Sequence, residues 1–352
     1  MILQHDDLKQ YTHKIFAAVG CSEEEAARVA EHLVEANLVG HDSHGVIRIA
    51  RYIEWMQEGK VLANQQVKVI LENDMLAVLD GQFGLGQSIG EQAVRIGLDK
   101  CSAQGMSIVG LRDAGHLGRI GDWPLMAARE NKISIHFVNT SGAGILVAPF
   151  GGVDRRLSAN PFAVGVPRKN EEPIILDISA CMMAEGKIRV ALHQGKLLPD
   201  GCIIDAQGQP ANDPKAFYDD PPGSILSIAG HKGYGLALVT EMLAGALTGG
   251  GCSNTKNKDR LANGMLSIYI DPEKFAEDQP YHDEINRYVD YVKSSQTITP
   301  DGTIYMPGEI EAATRADRAA NGIDVADTTW QQIYDTAQSL GVSEGFPQPT
   351  GS

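Results

Sequence analysis

Apolar residues recur at helical spacing through the opening part of the chain. Residues 6–19 place an apolar side chain every three or four positions, which predicts a first helix. The segment 21–40 opens with Ser22 followed three residues later by Glu25, the capping-box pattern of a helix start, and it ends on a glycine. A third apolar face recurs over residues 47–60. The beginning of the chain is therefore predicted to be helical.

Shorter apolar runs bounded by turn residues then alternate with helical patterns, which predicts an α/β fold. We predict strands at residues 66–73, 75–81, 106–113, 133–141 and 173–179, a strand with its exit at 265–275, and helices at 88–104, 123–130, 234–250, 309–321 and 328–340. Helix 234–250 is apolar over most of its circumference, so we expect it to be buried. The dense Pro, Gly, Asp and Asn content of residues 199–222 predicts a long surface excursion.

The charge of the chain excludes some classes of partner. Its 352 residues include 45 Asp and Glu against 30 Lys and Arg, a formal charge of −15, and a uniformly acidic surface repels nucleic acids and anionic membranes. No apolar run reaches the roughly 18 residues of a membrane span, and the first residues are acidic where a secretory leader is basic. The five cysteines show no CxxC spacing, which is typical of a reduced protein. We expect a soluble, cytoplasmic protein that binds neither nucleic acid nor membrane.

Glycine is the outlier of the composition, with 38 residues in scattered groups. Gly84, Gly86 and Gly90 follow a predicted strand and precede a predicted helix, as in a Rossmann dinucleotide fingerprint. The spacing between the second and third glycines is one residue too long, however, and no acidic residue ends a second strand about 20 positions further on. The residues alone favour a plain turn over a nucleotide site.

The densest group of reactive side chains lies between the second and third predicted helices. His41, Asp42, Ser43, His44 and Arg48 fall within eight residues. A histidine titrates near neutral pH and can exchange a proton in either direction of a reversible reaction, while an arginine offers a planar fork for a carboxylate. The same residues could form a polar interhelical loop, or His41, Asp42 and His44 could ligate a metal, although no further ligand pair with recognisable spacing appears. Spacing alone leaves all three interpretations open.

Two other histidines lie in glycine-rich segments that precede helices. His116, in GHLGRIG, is followed by Arg119, and backbone N–H groups at a helix start could receive a phosphate there. His231 and Lys232 open the apolar helix, where a lysine opposes the helix dipole and is an odd choice unless it faces an anion. His136 lies within a predicted strand and is expected to be a packed core residue. The first two segments are candidate anion sites, each weak on its own.

Taken together and in order, the motifs resemble one known family. They are GHDSHGVIRIARY, GHLGRIGDW, SANPFAVGVP, ILDISACMMAEGK, GHKGYGLALVTEMLAGAL and MPGEIEAATR. This set is similar to the malate/L-lactate dehydrogenase family of type 2, and within it looks nearest to the hydroxycarboxylate dehydrogenase B branch. The resemblance extends from about residue 5 to residue 340 and so covers nearly the whole chain.

The resemblance implies a fold and a domain organisation. The fold would be α/β but not a Rossmann fold, with mixed sheets and a helical terminal domain. The helical domain would combine residues 1–58 and 310–352, a sheet domain would combine 59–115 and 264–309, and the NAD(P)-binding domain would be 116–263. The glycine turn that looks most like a Rossmann fingerprint would then be structural.

The resemblance also implies an activity, the NAD(P)H-dependent reduction of 2-oxo acids to 2-hydroxy acids and its reverse. By the family pattern His44 looks like the catalytic acid/base, Ser43 its polar partner and Arg48 the group that holds the substrate carboxylate. His116 stays a second catalytic candidate, because ureidoglycolate dehydrogenases of this family use the matching histidine as proton acceptor. Lys187 stands where the imine-reducing branch prefers an acidic residue, which favours an oxo acid as substrate.

The implied cofactor is NAD or NADP, without a metal. The cofactor-binding residues by the family pattern are His116, Leu117, Gly118, Arg119, Ile120, Asp177, Ile178, Ser179, His231, Lys232, Pro307, Gly308 and Glu309. Family members are commonly dimers with composite active sites, so we expect a homodimer.

Several alternatives stay open at this point. Within the family, the substrate could be malate, ureidoglycolate or sulfolactate. From other classes, the protein could be a metal-dependent hydrolase that uses His41, Asp42 and His44, or a binding protein that keeps the fold without catalysis. The presence of His44, Arg48 and Lys232 together disfavours the last.

Overall fold

The computed structural model describes residues 1–254, 260–275 and 281–349. The helices are α1 (His5–Ala18), α2 (Glu23–Leu38), α3 (Ile49–Gln57), α4 (Gly86–Gln104), α5 (Asp122–Arg129), α6 (Glu185–Gln194), α7 (Lys215–Tyr218), α8 (His231–Thr240), α9 (Tyr281–Lys293), α10 (Glu309–Asn321) and α11 (Asp327–Ser339). The strands are β1 (Ile2–Leu3), β2 (Lys68–Glu72), β3 (Leu76–Asp80), β4 (Met106–Ala114), β5 (Ile133–Gly142), β6 (Phe162–Val166), β7 (Ile174–Ile178), β8 (Ile203–Ile204), β9 (Pro210–Ala211), β10 (Ser224–Ile225), β11 (Leu261–Ile270) and β12 (Ile323–Asp324). The last three residues of the predicted segment 310–352 lie outside the described residues.

A seven-stranded sheet forms the centre of the molecule. Its strand order is β2-β3-β4-β11-β5-β6-β7, and of these neighbouring pairs only β3 and β4 run parallel. Helix α4 makes the crossover between these two strands and packs on the sheet, where Leu79, Leu111, Trp123 and Tyr269 are among the buried side chains of what we call the sheet core. Because the strands of a Rossmann sheet run mostly parallel, this largely antiparallel sheet confirms the predicted non-Rossmann α/β fold.

The two ends of the chain share a second hydrophobic core, here called the terminal core. Helices α1, α2 and α3 bury their apolar faces with α11, and β1 pairs antiparallel with β12. Phe16, Leu33, Tyr52 and Trp330 are fully or almost fully buried in it. This is the helical terminal domain of the predicted fold, and it brings the beginning of the chain next to its end.

The predicted capping box of α2 is half formed. Ser22 Oγ accepts a hydrogen bond from the Glu25 backbone N–H at 3.2 Å, as expected. The Glu25 carboxylate, however, accepts from the Asn64 backbone N–H at 2.6 Å, and Asn64 Oδ1 accepts from the Ser22 N–H at 2.7 Å. A residue beyond α3 therefore replaces the local arm of the box and ties that loop to α2.

A third core is formed by residues that follow β5 in the chain, up to and including α8. Its composition shows that the expectation for residues 199–222 was incomplete. That segment is not only a surface excursion. It contributes two strands to a small antiparallel sheet of order β10-β8-β9 and buries Cys202, Ile203 and Phe217. Turn residues mark where a chain reverses but do not show whether the apolar residues between the turns are covered.

The expectation that helix 234–250 is buried is wrong. Helix α8 continues into a π-helical turn over Glu241–Ala246, and this turn packs on β5 and β11. The packed face carries small residues and the buried Glu241, while the opposite face is exposed and consists of Leu238, Val239, Met242 and Leu247. A helix that is apolar on every side has no distinct apolar stripe, so its pattern could not show which face is covered.

The predicted domain division stays a prediction. Strand β11 crosses its boundary at residues 263 and 264, and the seven-stranded sheet runs without interruption from the predicted sheet domain into the predicted NAD(P)-binding domain. Helices α6 and α9 were not predicted from the pattern. No helix in the three described ranges combines the length and the apolar character that crossing a membrane requires.

Candidate functional site

The loop between α2 and α3 consists of two 3₁₀ turns, Asp42–His44 and Val46–Arg48, joined at Gly45. The Asn37 side chain holds both turns: its Nδ2 donates to Asp42 Oδ1 at 2.6 Å and its Oδ1 accepts from the Val46 N–H at 2.8 Å. A β-carbon at position 45 would lie 2.0 Å from Asn37 Oδ1, so the close approach requires glycine. The sequence GHDSHGVIR therefore folds around one buried amide of α2.

Three of the predicted catalytic and substrate residues are held together in this loop. Ser43 Oγ lies 3.0 Å from His44 Nδ1, and Arg48 Nε donates to the Ser43 carbonyl at 2.6 Å. The second bond leaves the terminal nitrogens of the Arg48 fork for another acceptor, and a carboxylate is the ligand that such a fork binds best. The structure thus places Ser43, His44 and Arg48 side by side, as expected.

His116 reaches the same place from the sheet core. Its ring stacks on that of His44 with centroids 5.7 Å apart and an interplanar angle of 12°. Its Nδ1 lies 2.5 Å from the hydroxyl of Tyr52, a residue of α3. The two catalytic candidates are therefore neighbours, although 72 positions separate them in the chain.

The turn with the Rossmann-like glycines supports the His116 segment. A β-carbon at Gly86 would lie 2.1 Å from the His116 carbonyl oxygen, and one at Gly90 would lie 2.5 Å from the Trp123 ring. The glycines let the start of α4 pack directly against the backbone of this segment. Their role in the described structure is thus close packing, in agreement with the structural role that the resemblance implied.

Both histidines are held neutral. Burial, followed by the charge of Arg48 and the nearby His41, lowers the pKa of His44 to about 3. Burial, followed by Arg48 and His44, lowers the pKa of His116 well below its usual range. A neutral histidine beside an arginine can accept a proton, and a bound anion that offsets the arginine charge would raise its pKa again.

The metal interpretation of His41, Asp42 and His44 does not fit the geometry. Asp42 is engaged by both terminal nitrogens of Arg318, at 2.6 and 3.1 Å, and His41 Nε2 lies 3.4 Å from Glu311 Oε1. The three side chains thus serve different partners. Within the described ranges, no group of three or more His, Cys, Asp or Glu side chains is arranged to hold a metal ion.

The segment after His116 is anchored by its side chains. Arg119 is only 4% exposed and donates to Asp122 Oδ1 at 2.7 Å, so its guanidinium is not free to receive a phosphate. Asp122 Oδ2 lies 3.0 Å from His32 Nδ1, which joins α5 to α2. Leu117 and Ile120 are buried in the sheet core. The Leu117 N–H donates to Asn263 Oδ1 at 2.9 Å, so the part of this segment left to face a cofactor is the backbone around Gly118.

The end of β7 meets this segment and the start of α10. Asp177 Oδ2 accepts from the Gly121 N–H at 2.7 Å, and burial raises the pKa of Asp177 against the opposing charge of Arg119. On the other edge of β7, the Ile175 N–H donates to the Pro307 carbonyl at 3.0 Å. The predicted cofactor segments around Asp177 and Pro307 are thus adjacent.

Two of the predicted cofactor side chains have partners of their own at this end of the sheet. Ser179 Oγ donates to the Cys181 carbonyl at 3.1 Å, and Ile178 belongs to β7 and pairs with β6. Glu309 accepts from the Met306 N–H at 2.9 Å and pairs with Lys293, whose hydrogen bond lowers the pKa of the Glu309 carboxyl. These residues shape the edge, and their functional groups are occupied.

The start of α8 lies next to the other predicted cofactor segments. The Ile228 N–H donates to the Ala180 carbonyl at 3.0 Å, which places the segment before α8 next to the residues that follow β7. His231 and Lys232 are exposed at the first turn, which has no side-chain cap. The backbone N–H groups of Lys232, Gly233 and Tyr234 donate to the carbonyls of residues 229, 228 and 230, so the exposed lysine is the group here that fits an anion such as a pyrophosphate.

Sequence reasoning missed the residues that hold the site from a distance. Tyr52 was predicted only as part of an apolar face, and neither Gln87 nor His32 was singled out. One pattern could have found the first, since Arg48 and Tyr52 are four positions apart and so lie on one side of a helix. No local pattern points to the pairing of Gln87 with Tyr52, at 3.2 Å, or of His32 with Asp122.

Comparison with known proteins identifies the family. The family model for malate/L-lactate dehydrogenase matches residues 3–334. The chain belongs to the malate/L-lactate dehydrogenase family. This confirms the resemblance inferred from the motifs, and the protein is accordingly a hydroxy-acid dehydrogenase, an oxidoreductase.

Individual members of this family are similar over almost their whole lengths. Hydroxycarboxylate dehydrogenase B of Escherichia coli O157:H7 is 39% identical over 342 residues, which cover 96% of this chain and 94% of the relative. L-lactate dehydrogenase of Cupriavidus necator is 32% identical over 338 residues, covering 95% and 97%. The solved structure of sulfolactate dehydrogenase from Methanocaldococcus jannaschii superposes with a TM-score of 0.87 at 32% identity, covering 97% of this chain and 98% of that one. A dehydrogenase family gives the hydrolase alternative no support.

Proposed function

We propose that the protein interconverts 2-oxo acids and 2-hydroxy acids with NAD or NADP, with His44 exchanging the proton and Arg48 binding the substrate carboxylate. The observation that supports this best is the stacked pair of His44 and His116 beside one arginine, in a member of a dehydrogenase family. Ser43 orients His44 through its ring nitrogen. The protein is thus proposed to act as a hydroxycarboxylate dehydrogenase. The alternatives are a malate, a ureidoglycolate or a sulfolactate dehydrogenase, which carry out the same type of reaction.

The protonation state of His44 suits the oxidative direction directly. Neutral His44 can take the proton from the hydroxyl group of a 2-hydroxy acid. Arg48, by binding the neighbouring carboxylate, holds that hydroxyl in place, and the carboxylate offsets the part of the pKa lowering of His44 that comes from the Arg48 charge. The pKa of His44 therefore rises when substrate binds, which makes the proton easier to accept.

In the reductive direction the same rise in the pKa of His44 allows it to become the proton donor. An oxo acid bound to Arg48 allows His44 to take up a proton from solvent. As negative charge develops on the carbonyl oxygen, protonated His44 transfers its proton to it. We therefore expect reduction to be favoured at lower pH and oxidation at higher pH.

A nicotinamide cofactor supplies the hydride acceptor or donor of this reaction. The residues of this chain that would hold it are the backbone of 116–120, the edge formed by Asp177, Ile178 and Ser179, the first turn of α8 with His231 and Lys232, and the segment Pro307–Glu309. The exposed Lys232 is suited to its anionic part. Both NAD and NADP fit this description.

Two further features are part of the proposal. The exposed apolar face of α8 supports a homodimer, because a solvated face of this kind commonly marks an interface. The five cysteines are free, which fits the reducing conditions of the cytoplasm. Light scattering at several protein concentrations tests the first, and a monomer throughout would contradict it.

A panel of 2-oxo acids, followed by the absorbance of NADH or NADPH, tests the reaction. We expect turnover of at least one short 2-oxo acid, unaffected by a chelator, and the reverse reaction with the corresponding 2-hydroxy acid. The panel should include one-carboxylate, two-carboxylate and sulfonate-bearing acids, because their relative rates separate the alternative substrates. Folded protein that turns over none of them with either cofactor would contradict the proposal and favour a binding protein.

A further inference from the structure

Tyr52 and Gln87 together determine where the proton of His116 lies. The Tyr52 side chain is 2% exposed, and burial raises its pKa to about 12, so the hydroxyl keeps its proton at neutral pH. Its oxygen lies 2.5 Å from His116 Nδ1. A hydroxyl has a single proton, and the direction of this short hydrogen bond depends on what else the oxygen contacts.

The second contact of that oxygen comes from Gln87. Gln87 Nε2 donates to the Tyr52 hydroxyl at 3.2 Å, and Gln87 is itself buried in the first turn of α4. The tyrosine proton needs an acceptor, and of these two neighbours of the oxygen only His116 Nδ1 can be one, because Gln87 Nε2 is itself a donor. Nδ1 of His116 is then the acceptor and carries no proton.

The protonation of the other ring nitrogen, His116 Nε2, follows from the charge of the ring. His116 is neutral, because burial and the charges of Arg48 and His44 hold it so. A neutral imidazole has one proton, and with Nδ1 bare this proton lies on Nε2. In that state Nε2 is a hydrogen-bond donor and cannot accept a proton.

We propose that Tyr52 is a positioning residue that fixes His116 as the Nε2–H tautomer, which makes His116 a hydrogen-bond donor to the reacting oxygen and leaves proton exchange to His44. The inference rests on the proposed function for the identity of that oxygen. It divides the labour of the two stacked rings: a fixed donor stabilises negative charge as it develops, and the other ring transfers the proton. It argues against the role of proton acceptor that ureidoglycolate dehydrogenases suggested for His116.

Nitrogen NMR of the protein labelled with ¹⁵N-histidine tests the tautomer without turnover. The His116 resonances are assigned with His116→Gln, and we expect an unprotonated Nδ1 and a protonated Nε2 at neutral pH. In Tyr52→Phe the two resonances should move towards each other, because nothing then favours one tautomer. Tyr334→Phe is the matched control, since it also removes a hydroxyl that accepts from an amide, that of Gln348, but on the exposed side of α11. A protonated Nδ1 in the unaltered protein would overturn the proposal even if the enzyme is active.

Kinetics test the division of labour. Tyr52→Phe should lower kcat about 3- to 10-fold, roughly the value of one neutral hydrogen bond, with little change in the Kd for NADH. His116→Gln keeps an N–H donor near the position of Nε2 and should retain about a tenth of kcat, whereas the loss of a general base costs about 10²- to 10⁴-fold. A loss in His116→Gln as large as that in His44→Gln would overturn the donor role. Absence of any dehydrogenase activity would instead contradict the proposed function and leave the NMR result to decide the tautomer.

Discussion

The two histidines of the site are held in opposite ways. His44 belongs to a loop of the terminal core, and its partner is the adjacent Ser43. His116 precedes Leu117 of the sheet core, and its partner Tyr52 comes from the terminal core, 64 positions away. One histidine is therefore oriented locally, and the other is oriented by the way in which two cores dock.

This difference shows what the site depends on. A change at His44 or Arg48 alters the chemistry and leaves the docking of the cores intact. A change at Tyr52 alters the contact between the cores, and a change at Gly86 alters the packing of α4 behind His116, so both reach the chemistry through His116. The catalytic arrangement thus depends both on one short loop and on an interface between distant parts of the chain.

The largest effect is expected from the locally held histidine. His44→Gln should lower kcat by about 10³-fold, because it removes the group that exchanges the proton, while the Kd for NADH measured by fluorescence stays close to that of the unaltered protein. His13→Gln is the control, since His13 pairs with Glu23 on the surface of the terminal core. If His44→Gln kept most of its kcat, the roles of the two histidines would have to be exchanged.

Arg48 acts on both histidines, so its replacement tests the feature that they share. Arg48→Gln should reduce kcat/KM about 10- to 100-fold through loss of charge-assisted hydrogen bonds to the carboxylate. Arg48 lowers the pKa of both histidines, so its removal should raise that pKa. Oxidation requires a neutral histidine, and the loss of kcat/KM at acidic pH should therefore begin at a higher pH in the variant. Arg51→Gln, which removes an exposed arginine paired with Glu54, should change neither quantity. An unaltered pH profile in Arg48→Gln would argue against the electrostatic account.

Gly86→Ala tests the support of His116 by the sheet core. The added methyl group would meet the His116 carbonyl at 2.1 Å, so we expect a loss of about 1–3 kcal/mol in the free energy of unfolding and a lower kcat. Gly235→Ala is the matched change in stability, because a β-carbon there meets nothing within 4 Å and a helical alanine is favoured by about 0.5–1 kcal/mol. Urea unfolding of both variants measures the contrast. Equal stability of the two variants would show that the close approach at position 86 is not tight.

The smallest effect concerns the pH dependence of stability. The pKa of each of the two histidines is lower in the folded protein than in the unfolded chain. Below about pH 6.5 unfolding therefore takes up protons, and the free energy of unfolding decreases as the pH is lowered. Each neutral histidine contributes at most about 1.4 kcal/mol per pH unit to this fall. His44→Gln and His116→Gln should each reduce the slope between pH 6 and pH 4.5, measured by urea unfolding. A variant that keeps the full slope would identify a histidine whose pKa is close to its ordinary value.

The contrast between local and distant contacts also explains how far the sequence could be read. Ser43, His44 and Arg48 share one loop, and their proximity follows from their spacing. Helix α10 begins and ends as predicted, at Glu309 and Asn321, since its charged face and its flanking glycines are local features. The order of the motifs was enough to identify the family and with it the non-Rossmann fold.

What could not be predicted depends on packing between separate segments. The guanidinium of Arg119 is buried and donates to Asp122, and no local pattern shows whether an arginine side chain is buried or faces a ligand. The exposed face of α8 depends on which side of the helix the sheet covers. The pairing of Tyr52 with His116 requires the two cores to meet, and no periodicity within either segment encodes that contact.

The glycine at position 86 has a consequence for engineering the enzyme towards a new acid. A mutagenesis library is usually centred on side chains that touch the substrate, and such a choice would treat this turn as free to vary. Here the space left by a missing methyl group is occupied by the His116 carbonyl, so almost every codon at that position would be unproductive. Libraries should keep Gly86 and Gly90 constant and place their diversity elsewhere, for example at Lys187, which is exposed one residue beyond Gly186, where a β-carbon would lie 3.4 Å from Ser43.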